Sequence, residues 1–181
     1  MGSDALHPLA AILSELADVT SHIDPAEMDK LVCLMAKAKR IFVTGMGRSG
    51  LMAQALAMRL MHLRLEVYVV GETTTPSIGR GDLLICCSRY GRSRSLRTYI
   101  EKAHEARAKA AVITMDSATP LARQADHVFQ IAIDEGGRSR QPLGTIFEQS
   151  LLLYCDALVL LAMKKLGVSE RQMAKQHTQL E

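Results

Sequence analysis

Two short turns carry the residues of this chain whose types and spacing best suit chemistry. The first, "GMGRSG", spans Gly45 to Gly50, and the second, "SRYGRS", spans Ser88 to Ser93. Each follows a predicted strand and opens a predicted helix. Glycine lets the backbone approach a ligand closely, serine supplies a hydroxyl, and a helix N-terminus supplies N–H groups. Together these features predict a site for an anion, most simply a phosphate.

The second turn is also strongly basic. Arg89 and Arg92 lie within it, where their charges oppose the partial positive charge of the helix N-terminus. An anionic partner would offset that repulsion. Arg94 and Arg97 lie further along the helix, and we expect their side chains to extend into solvent.

The first turn also fits the G-x-G-x-x-G pattern of dinucleotide-binding proteins. Glu72, which follows the second predicted strand, would then be the acidic residue that contacts the ribose. However, Arg48 and Ser49 inside the turn suit a small phosphate better than a pyrophosphate. A dinucleotide-dependent reductase is therefore the weaker hypothesis, and a tight turn without a ligand is a further alternative.

Two residues outside these turns are candidates for acid–base chemistry. Thr145 and Glu148 have the spacing of a capping box, so by themselves they favour a structural role at the start of a long helix. His177 lies in a polar stretch near the C-terminus, where a lone histidine is usually an exposed surface residue.

The elements that must position these residues alternate between helices and strands. Two helices, one from Leu6 to Thr20 and one starting at Asp24-Pro25, precede the first strand. The predicted strands are residues 41–44, 66–70, 82–87, 110–115 and 127–133. The predicted helices after the first strand are residues 49–63, 93–107, 145–166 and 169–179, with a short helix near Leu121 and a polar loop from Gly136 to Gly144.

This order predicts an α/β fold. Parallel strands need crossover connections, and near-continuous apolar strands are expected where helices cover both faces of a sheet. We predict a three-layer α/β/α fold with a five-stranded parallel sheet in flavodoxin-like order, plus the N-terminal helices. Ligands of such sheets bind beyond the carboxyl ends of the strands near the switch point, which selects the turns after the first and third strands.

Length and composition narrow the class of protein. The 181 residues suit one domain over 1–181, with the helices of residues 1–39 packed on it. A net charge of +3 and the absence of tryptophan argue against nucleic acid as a partner. We expect no bilayer-spanning run, no signal peptide and no membrane partner. The dispersed histidines and cysteines predict no metal, and the cysteines predict buried free thiols in a cytoplasmic protein: Cys33, Cys86, Cys87 and Cys155.

Four separated stretches together resemble one family. They are "IFVTGMGRSGLMAQALAMRLMHL", "EVYVVGETTTPSIGRGDLLI", "PLGTIFE" and "MAKQHTQLE", in this order between Ile41 and Glu181. These stretches resemble the 6-phospho-3-hexuloisomerase family, a branch of the sugar isomerase (SIS) domains. The resemblance implies conversion of D-arabino-3-hexulose 6-phosphate to fructose 6-phosphate without a cofactor, in the ribulose monophosphate route of formaldehyde fixation.

The resemblance also implies roles for single residues. Glu148 would be the base that moves a proton between C2 and C3 through a cis-enediol, and His177 would shuttle a proton on a substrate oxygen. Arg48 would polarise the carbonyl or bind a hydroxyl. The substrate-binding residues expected from the turns and the resemblance are Gly47, Arg48, Ser49, Glu72, Ser88, Gly91, Arg92, Ser93 and Thr145.

The second turn departs from the family pattern. The family usually has Ser-Gly-Ser-Gly-Glu-Thr there, where this chain has Ser88-Arg89-Tyr90-Gly91-Arg92-Ser93. We expect the turn to hold a phosphate still, with guanidinium groups supplementing lost contacts. Arg89 in place of a glycine restricts backbone approach, so a non-catalytic sugar-phosphate sensor is an alternative. The presence of both Glu148 and His177 argues against that alternative.

The family resemblance further implies a homo-oligomer, a dimer or a homotetramer built from dimers, with sites near subunit interfaces. The helix from Thr145 to Leu166 is apolar on most faces, more than one monomer face requires. His177 would then lie in its own subunit's site or in a neighbour's.

Overall fold

Helices and strands alternate through most of the chain in the computed structural model, which describes residues 7–133 and 139–179. The helices are α1 Pro8–Ser21, α2 Pro25–Lys37, α3 Arg48–His62, α4 Arg94–Glu105, α5 Thr145–Leu166 and α6 Glu170–Ala174. The strands are β1 Ile41–Gly45, β2 Val67–Val69, β3 Leu83–Ser88, β4 Lys109–Thr114 and β5 His127–Gln130. Two 3₁₀ turns, Ala122–Gln124 and Pro142–Gly144, complete the regular structure of the described residues.

The strands form one parallel sheet in the order β2-β1-β3-β4-β5, which confirms the predicted flavodoxin-like fold. Gly45 at the end of β1 lies opposite Cys87 of β3, and Ser88 lies opposite Thr114 of β4. The turns after β1 and β3 therefore meet at one edge of the sheet. This edge is the switch point, where the strand order reverses direction.

Helices cover the two faces of the sheet unequally. On one face α2, α3 and α5 share a core with alternate strand side chains such as Val43 and Ile85, and α1 packs on α5. On the other face α4 packs on the intervening side chains, such as Phe42 and Leu84. Because both faces are covered, successive side chains of β1 and β3 are buried, as their apolar sequences require.

Side-chain caps fix where several helices begin. The carboxylate of Asp24 accepts a hydrogen bond from the Ala26 N–H at 2.8 Å, and Pro25 occupies the first position of α2. Ser93 likewise caps α4 by accepting from the Leu96 N–H at 3.4 Å. These caps confirm the predicted start of α2 and place α4 one residue after its predicted start.

Several predicted elements are shorter in the structure. β2 is Val67–Val69 instead of 66–70, and α4 is Arg94–Glu105 instead of 93–107. β5 ends at Gln130 instead of Ile133, and α6 has five residues, Glu170–Ala174, instead of the predicted 169–179. Beyond α6 the chain forms a turn in which the Gln176 N–H donates to the Met173 carbonyl. Of the predicted loop from Gly136 to Gly144, residues 136–138 lie outside the described residues.

Helix α5 corrects another expectation. Together with the turn before it, the 25 residues Pro142–Leu166 are long and apolar enough to cross a membrane, whereas the sequence led us to expect no such run. In the fold, 56% of that apolar window is buried. The helix packs against α1, α2 and α3, so its hydrophobicity is that of a core helix.

The cysteines are free thiols, as predicted. Cys86, Cys87 and Cys155 are buried, whereas Cys33 is partly exposed. Burial raises the pKa of the Cys87 thiol to about 12. The three buried thiols therefore act as small apolar core groups at neutral pH.

Candidate active site

The turns after β1 and β3 and the start of α5 enclose a cavity of about 290 Å³. Five residues predicted for the site line it together: Ser49, Ser88, Arg92, Ser93 and Glu148. The remaining lining residues are Met46, Cys87, Arg89, Tyr90 and Leu143. We call this space the switch-point cavity.

Glycine is required in the first turn for two geometric reasons. Gly47, the N-cap of α3, has φ 57° and ψ −134°, a conformation that side chains disfavour. A β-carbon at Gly50 would lie 2.6 Å from the carbonyl oxygen of Gly45, so the strand end and the helix start are in backbone contact. Among the described residues no side chain caps α3, so the N–H groups of Arg48 and Ser49 at its start have no side-chain cap.

Three hydrogen bonds from the end of β4 and the segment after it fix the backbone of the second turn. The Arg89 carbonyl accepts from the Met115 N–H at 3.2 Å and from the Thr114 hydroxyl at 3.0 Å. The Gly91 carbonyl accepts from the Leu121 N–H at 3.3 Å. The turn is therefore a fixed frame rather than a loose loop.

Gly91 allows the backbone of the second turn to pack closely on Thr119. It has φ 56°, and a β-carbon there would overlap the hydroxyl oxygen of Thr119. Its N–H donates to the Ser88 hydroxyl oxygen at 3.2 Å, while the Ser93 hydroxyl oxygen caps α4. Because a serine hydroxyl that accepts one bond can still donate another, Ser88 and Ser93 both retain a donor for an anion.

Tyr90 organises the two arginines of the second turn. The guanidinium carbons of Arg89 and Arg92 lie 4.4 Å and 5.5 Å from the centre of its ring. Both distances are within the range of cation–π attraction. Arg89 also lies against the start of α5, since a β-carbon at Gly144 would overlap its terminal nitrogen. Arg89 thus links the second turn to α5.

Glu148 faces the cavity from the first turn of α5 and is not part of a capping box. The N-cap of α5 is Gly144, in a left-handed conformation with φ 86°. Thr145, the predicted cap, instead donates its hydroxyl to the Pro142 carbonyl at 2.8 Å. The capping interpretation is wrong because the helix begins one residue earlier than that spacing assumed.

The Glu148 carboxylate is shielded and lies close to a cation. Its side chain is 12% exposed, and its Oε2 lies 3.4 Å from Nε of Arg48 at the start of α3. That oxygen is buried and accepts no hydrogen bond from the described residues. A shielded carboxylate that faces a cavity with one such oxygen can transfer protons to and from a bound carbon acid.

Six predicted residues do not line this cavity. Gly47, Arg48 and Gly91 belong to the two turns beside it, whereas Glu72, Thr145 and His177 lie away from it. Glu72 is exposed in the turn after β2, and Thr145 lines a different cavity of about 420 Å³ beneath α1. The ring of His177 stacks on His62, with ring centres 5.4 Å apart, at the far end of α3. Since α3 has 15 residues, its two ends are about 20 Å apart, and so, roughly, are His177 and Glu148 within one chain.

The sequence reasoning did not assign Met46, Cys87 or Leu143 to this site, although all three line the cavity. Leu143 has φ 55° and is 98% exposed at the mouth of the cavity. Its place between Pro142 and Gly144 was a signal, because two turn-forming neighbours constrain the residue between them. No group of three or more His, Cys, Asp or Glu residues that could hold a metal ion occurs among the described residues.

Comparison with known proteins identifies the family. The model of the SIS domain family matches residues 34–160, so the chain belongs to the SIS domain family. It is 36% identical over 179 residues to the 3-hexulose-6-phosphate isomerase of Bacillus subtilis, covering 96% of this chain and 97% of the relative. The Mycobacterium gastri protein of the same name is 36% identical over 186 residues, covering 100% and 94%.

A solved structure gives the same result for the fold. A Methanococcus jannaschii protein for which a molecular function of 3-hexulose-6-phosphate isomerase has been inferred superposes with a TM-score of 0.87 at 33% identity. The match covers 97% of this chain and 100% of that one. The relatives confirm the predicted family and the prediction that the chain is an isomerase.

Proposed function

We propose that this isomerase acts on a sugar phosphate and interconverts D-arabino-3-hexulose 6-phosphate and D-fructose 6-phosphate. The observation that carries the proposal is the Glu148 carboxylate, shielded and without an internal hydrogen bond on Oε2, in one cavity with Ser88 and Ser93. The Glu148 carboxylate suits proton transfer at carbon, and the hydroxyl groups of Ser88 and Ser93 suit the binding of a phosphate. The names of the relatives support the choice of substrate.

The reaction moves a carbonyl from C3 to C2, so a proton must leave C2 and another must arrive at C3. One carboxylate that reaches both carbons on the same face can do both, through a cis-enediol. Glu148 is that base in our proposal. Arg48, whose Nε lies 3.4 Å from Glu148, is placed to stabilise negative charge on the neighbouring substrate oxygen.

The phosphate would bind at the second turn. Ser88 and Ser93 would donate hydrogen bonds from their hydroxyl groups. Arg92 would add a positively charged guanidinium group whose N–H groups can donate to two phosphate oxygens. Gly91 fixes the conformation of the turn. Gly47 and Ser49 of the first turn would contact the sugar on the side of α3. Glu72 and Thr145 have no contact with this cavity and are not part of the proposed site.

His177 can act only in a neighbour's site, because the length of α3 separates it from Glu148 of its own chain. We therefore propose a homotetramer of this single-domain chain, with sites near subunit interfaces. Large apolar side chains on the outer faces of the helices support an oligomer: Leu9, Leu13, Leu51, Met58, Leu153 and Leu160 are all exposed. The proposed setting is the ribulose monophosphate pathway of formaldehyde fixation in the cytoplasm.

A coupled assay tests the reaction. Formaldehyde, ribulose 5-phosphate and a hexulose phosphate synthase generate the substrate, and fructose 6-phosphate is then measured with and without the purified protein. We expect fructose 6-phosphate to form only when the protein is present. If the synthase consumes ribulose 5-phosphate and no fructose 6-phosphate appears, the proposed substrate is wrong.

A further inference from the structure

Glu15 of α1 holds the chain segment that leads into α5. Its Oε2 accepts a hydrogen bond from the Ser139 hydroxyl at 2.8 Å and from the Gln141 side-chain amide at 3.1 Å. Its Oε1 accepts from the Arg140 backbone N–H at 2.8 Å. One carboxylate therefore binds three consecutive residues that lie more than 120 positions away in the chain.

The bonds of Glu15 form a closed network. The Ser139 hydroxyl oxygen also accepts a hydrogen bond from the Gln141 backbone N–H at 3.1 Å. This hydroxyl therefore connects Glu15 to the backbone just before the 3₁₀ turn. Burial works against ionisation of Glu15, but the hydrogen bonds from Arg140, Gln141 and Ser139 outweigh it and lower the pKa of this carboxyl. Glu15 is thus an ionised acceptor for all three donors at neutral pH.

The held segment continues directly into the switch-point cavity. After Gln141 the chain makes the 3₁₀ turn Pro142–Gly144, in which Leu143 lines the cavity and Gly144 lies against Arg89. Glu148 follows one helical turn later. Glu15 itself lines the separate cavity beneath α1, so it does not contact a substrate in the switch-point cavity.

We infer that Glu15 is a positioning residue for the isomerase reaction, because it fixes segment 139–142 and thereby the placement of Leu143, Gly144 and Glu148. The inference rests on the proposed role of Glu148. Proton transfer at carbon depends steeply on the position of the base, since a displacement of about 1 Å can cost about 10²-fold in rate. A bond network outside the cavity can therefore control turnover without touching the substrate.

The test compares Glu15→Ala and Glu15→Gln with the control Asp18→Ala, an exposed carboxylate on the same helix. We expect Glu15→Ala to lower kcat by about 10- to 100-fold while KM changes less than about threefold, because the phosphate turn is untouched. Glu15→Gln should lose less activity, since its amide oxygen can still accept from the Arg140 N–H. Asp18→Ala should match wild type in both constants.

A second readout does not depend on activity. Trypsin cleaves after arginine, and the Arg140–Gln141 bond lies within the held segment. We expect faster cleavage at this bond in Glu15→Ala than in wild type or Asp18→Ala, measured by mass spectrometry during limited digestion. If Glu15→Ala does not fold, Ser139→Ala removes the two bonds of its hydroxyl and Gln141→Ala removes one bond to Glu15. Both variants should lower kcat to a smaller extent.

The outcomes separate the inference from the proposed function. Wild-type kcat in a folded Glu15→Ala protein, alongside an inactive Glu148→Gln, would overturn the positioning role of Glu15. An equal loss of kcat in Asp18→Ala would overturn it as well. If the wild-type protein itself has no isomerase activity, the proposed function fails, and unchanged trypsin cleavage in Glu15→Ala would then refute the holding role too.

Discussion

At the residue scale, Glu148 differs from an ordinary glutamate at a helix start in what its carboxylate contacts. A capping glutamate bonds to backbone N–H groups, whereas Glu148 faces the cavity with Arg48 as its close cation. Its carboxylate can therefore be changed without removing a helix cap. This separation of chemistry from folding makes the residue a clean target for substitution.

We predict that Glu148→Gln lowers kcat by about 10²- to 10⁴-fold, because an amide cannot act as the base. Substrate should still bind, since the phosphate contacts are unchanged. The control is Asp156→Asn, an exposed carboxylate on the same helix, which should retain wild-type turnover. Near wild-type turnover in purified Glu148→Gln would exclude Glu148 as the base.

Arg92 gives a test of the phosphate turn that leaves helix capping intact, whereas Ser93 also caps α4. We predict that Arg92→Ala raises the inhibition constant of inorganic phosphate, and more so at low salt, where a charged contact is screened least. Arg123→Ala, an exposed arginine outside the cavity, is the matched control. An unchanged constant at both ionic strengths would mean that Arg92 has no role in binding phosphate.

At the element scale, one carboxylate ties α4, β4 and β5 together. Asp126, just before β5, accepts from the Ala110 N–H at 2.8 Å, the Lys109 ammonium at 2.5 Å and His104 at 3.0 Å. Partial burial works against its charge, but the bonds from Lys109, Ala110 and His104 outweigh it and lower the pKa of Asp126 to about 2. The charged form is therefore the one that stabilises the fold.

We predict that Asp126→Asn lowers the free energy of unfolding by about 1 to 3 kcal/mol at pH 7. A carboxyl whose folded pKa is depressed stabilises above its unfolded pKa and loses that effect as pH falls towards the folded value. The difference between wild type and variant should therefore shrink between about pH 4 and pH 2, as measured by urea denaturation. Exposed Asp29→Asn in α2 should show no such dependence; a pH-independent difference for Asp126→Asn would contradict the assignment.

The elements that could be read from the sequence are those with a strong local signal. Apolar strands bounded by glycine, and α5 with its bounds Thr145–Leu166, were predicted because hydrophobic runs and turns mark their ends. α6 was predicted too long because a polar stretch carries no periodic apolar signal to mark where it stops. β5 was predicted too long because its apolar sequence continues past the last paired residue, Gln130.

The topology of the sheet predicted which two turns lie together at the candidate site, but it did not predict every residue that lines the cavity. The rule that ligands bind at the switch point selected the two turns, and Ser49, Ser88 and Ser93 of these turns line one cavity. The packing of His177 on His62 is a tertiary contact between residues 115 positions apart, and no local pattern predicts it. The N-cap of α5 is the left-handed Gly144 instead of Thr145, so the predicted capping box does not form.

At the scale of the whole molecule, α3 holds Arg48 and His62 at opposite ends. Arg48 lies beside Glu148, and His62 lies beside His177. If both Glu148 and His177 act in catalysis, each site must combine residues from two subunits. Two inactive variants with substitutions at different residues of the shared site should then complement each other in mixed oligomers.

We predict that co-assembled Glu148→Gln and His177→Ala subunits regain up to about a quarter of wild-type activity, because half of randomly mixed dimers contain one intact site. Each variant alone should be inactive or nearly so. The measurement is isomerase activity after mixing under dissociating conditions and reassembly. No recovery in verified mixed oligomers would contradict a shared site, and sedimentation as a fully active monomer would do the same.

The anchored backbone of the second turn has a consequence for protein engineering. Hydrogen bonds from Thr114, Met115 and Leu121 fix the turn through its carbonyls, and Gly91 rests on Thr119. The side chains at positions 90 and 92 can therefore be exchanged while the backbone of the turn keeps its shape, whereas Arg89 also contacts the start of α5. A combinatorial library at positions 90 and 92 should yield mostly folded variants with altered substrate range, whereas substitutions at position 91 should yield mostly insoluble protein.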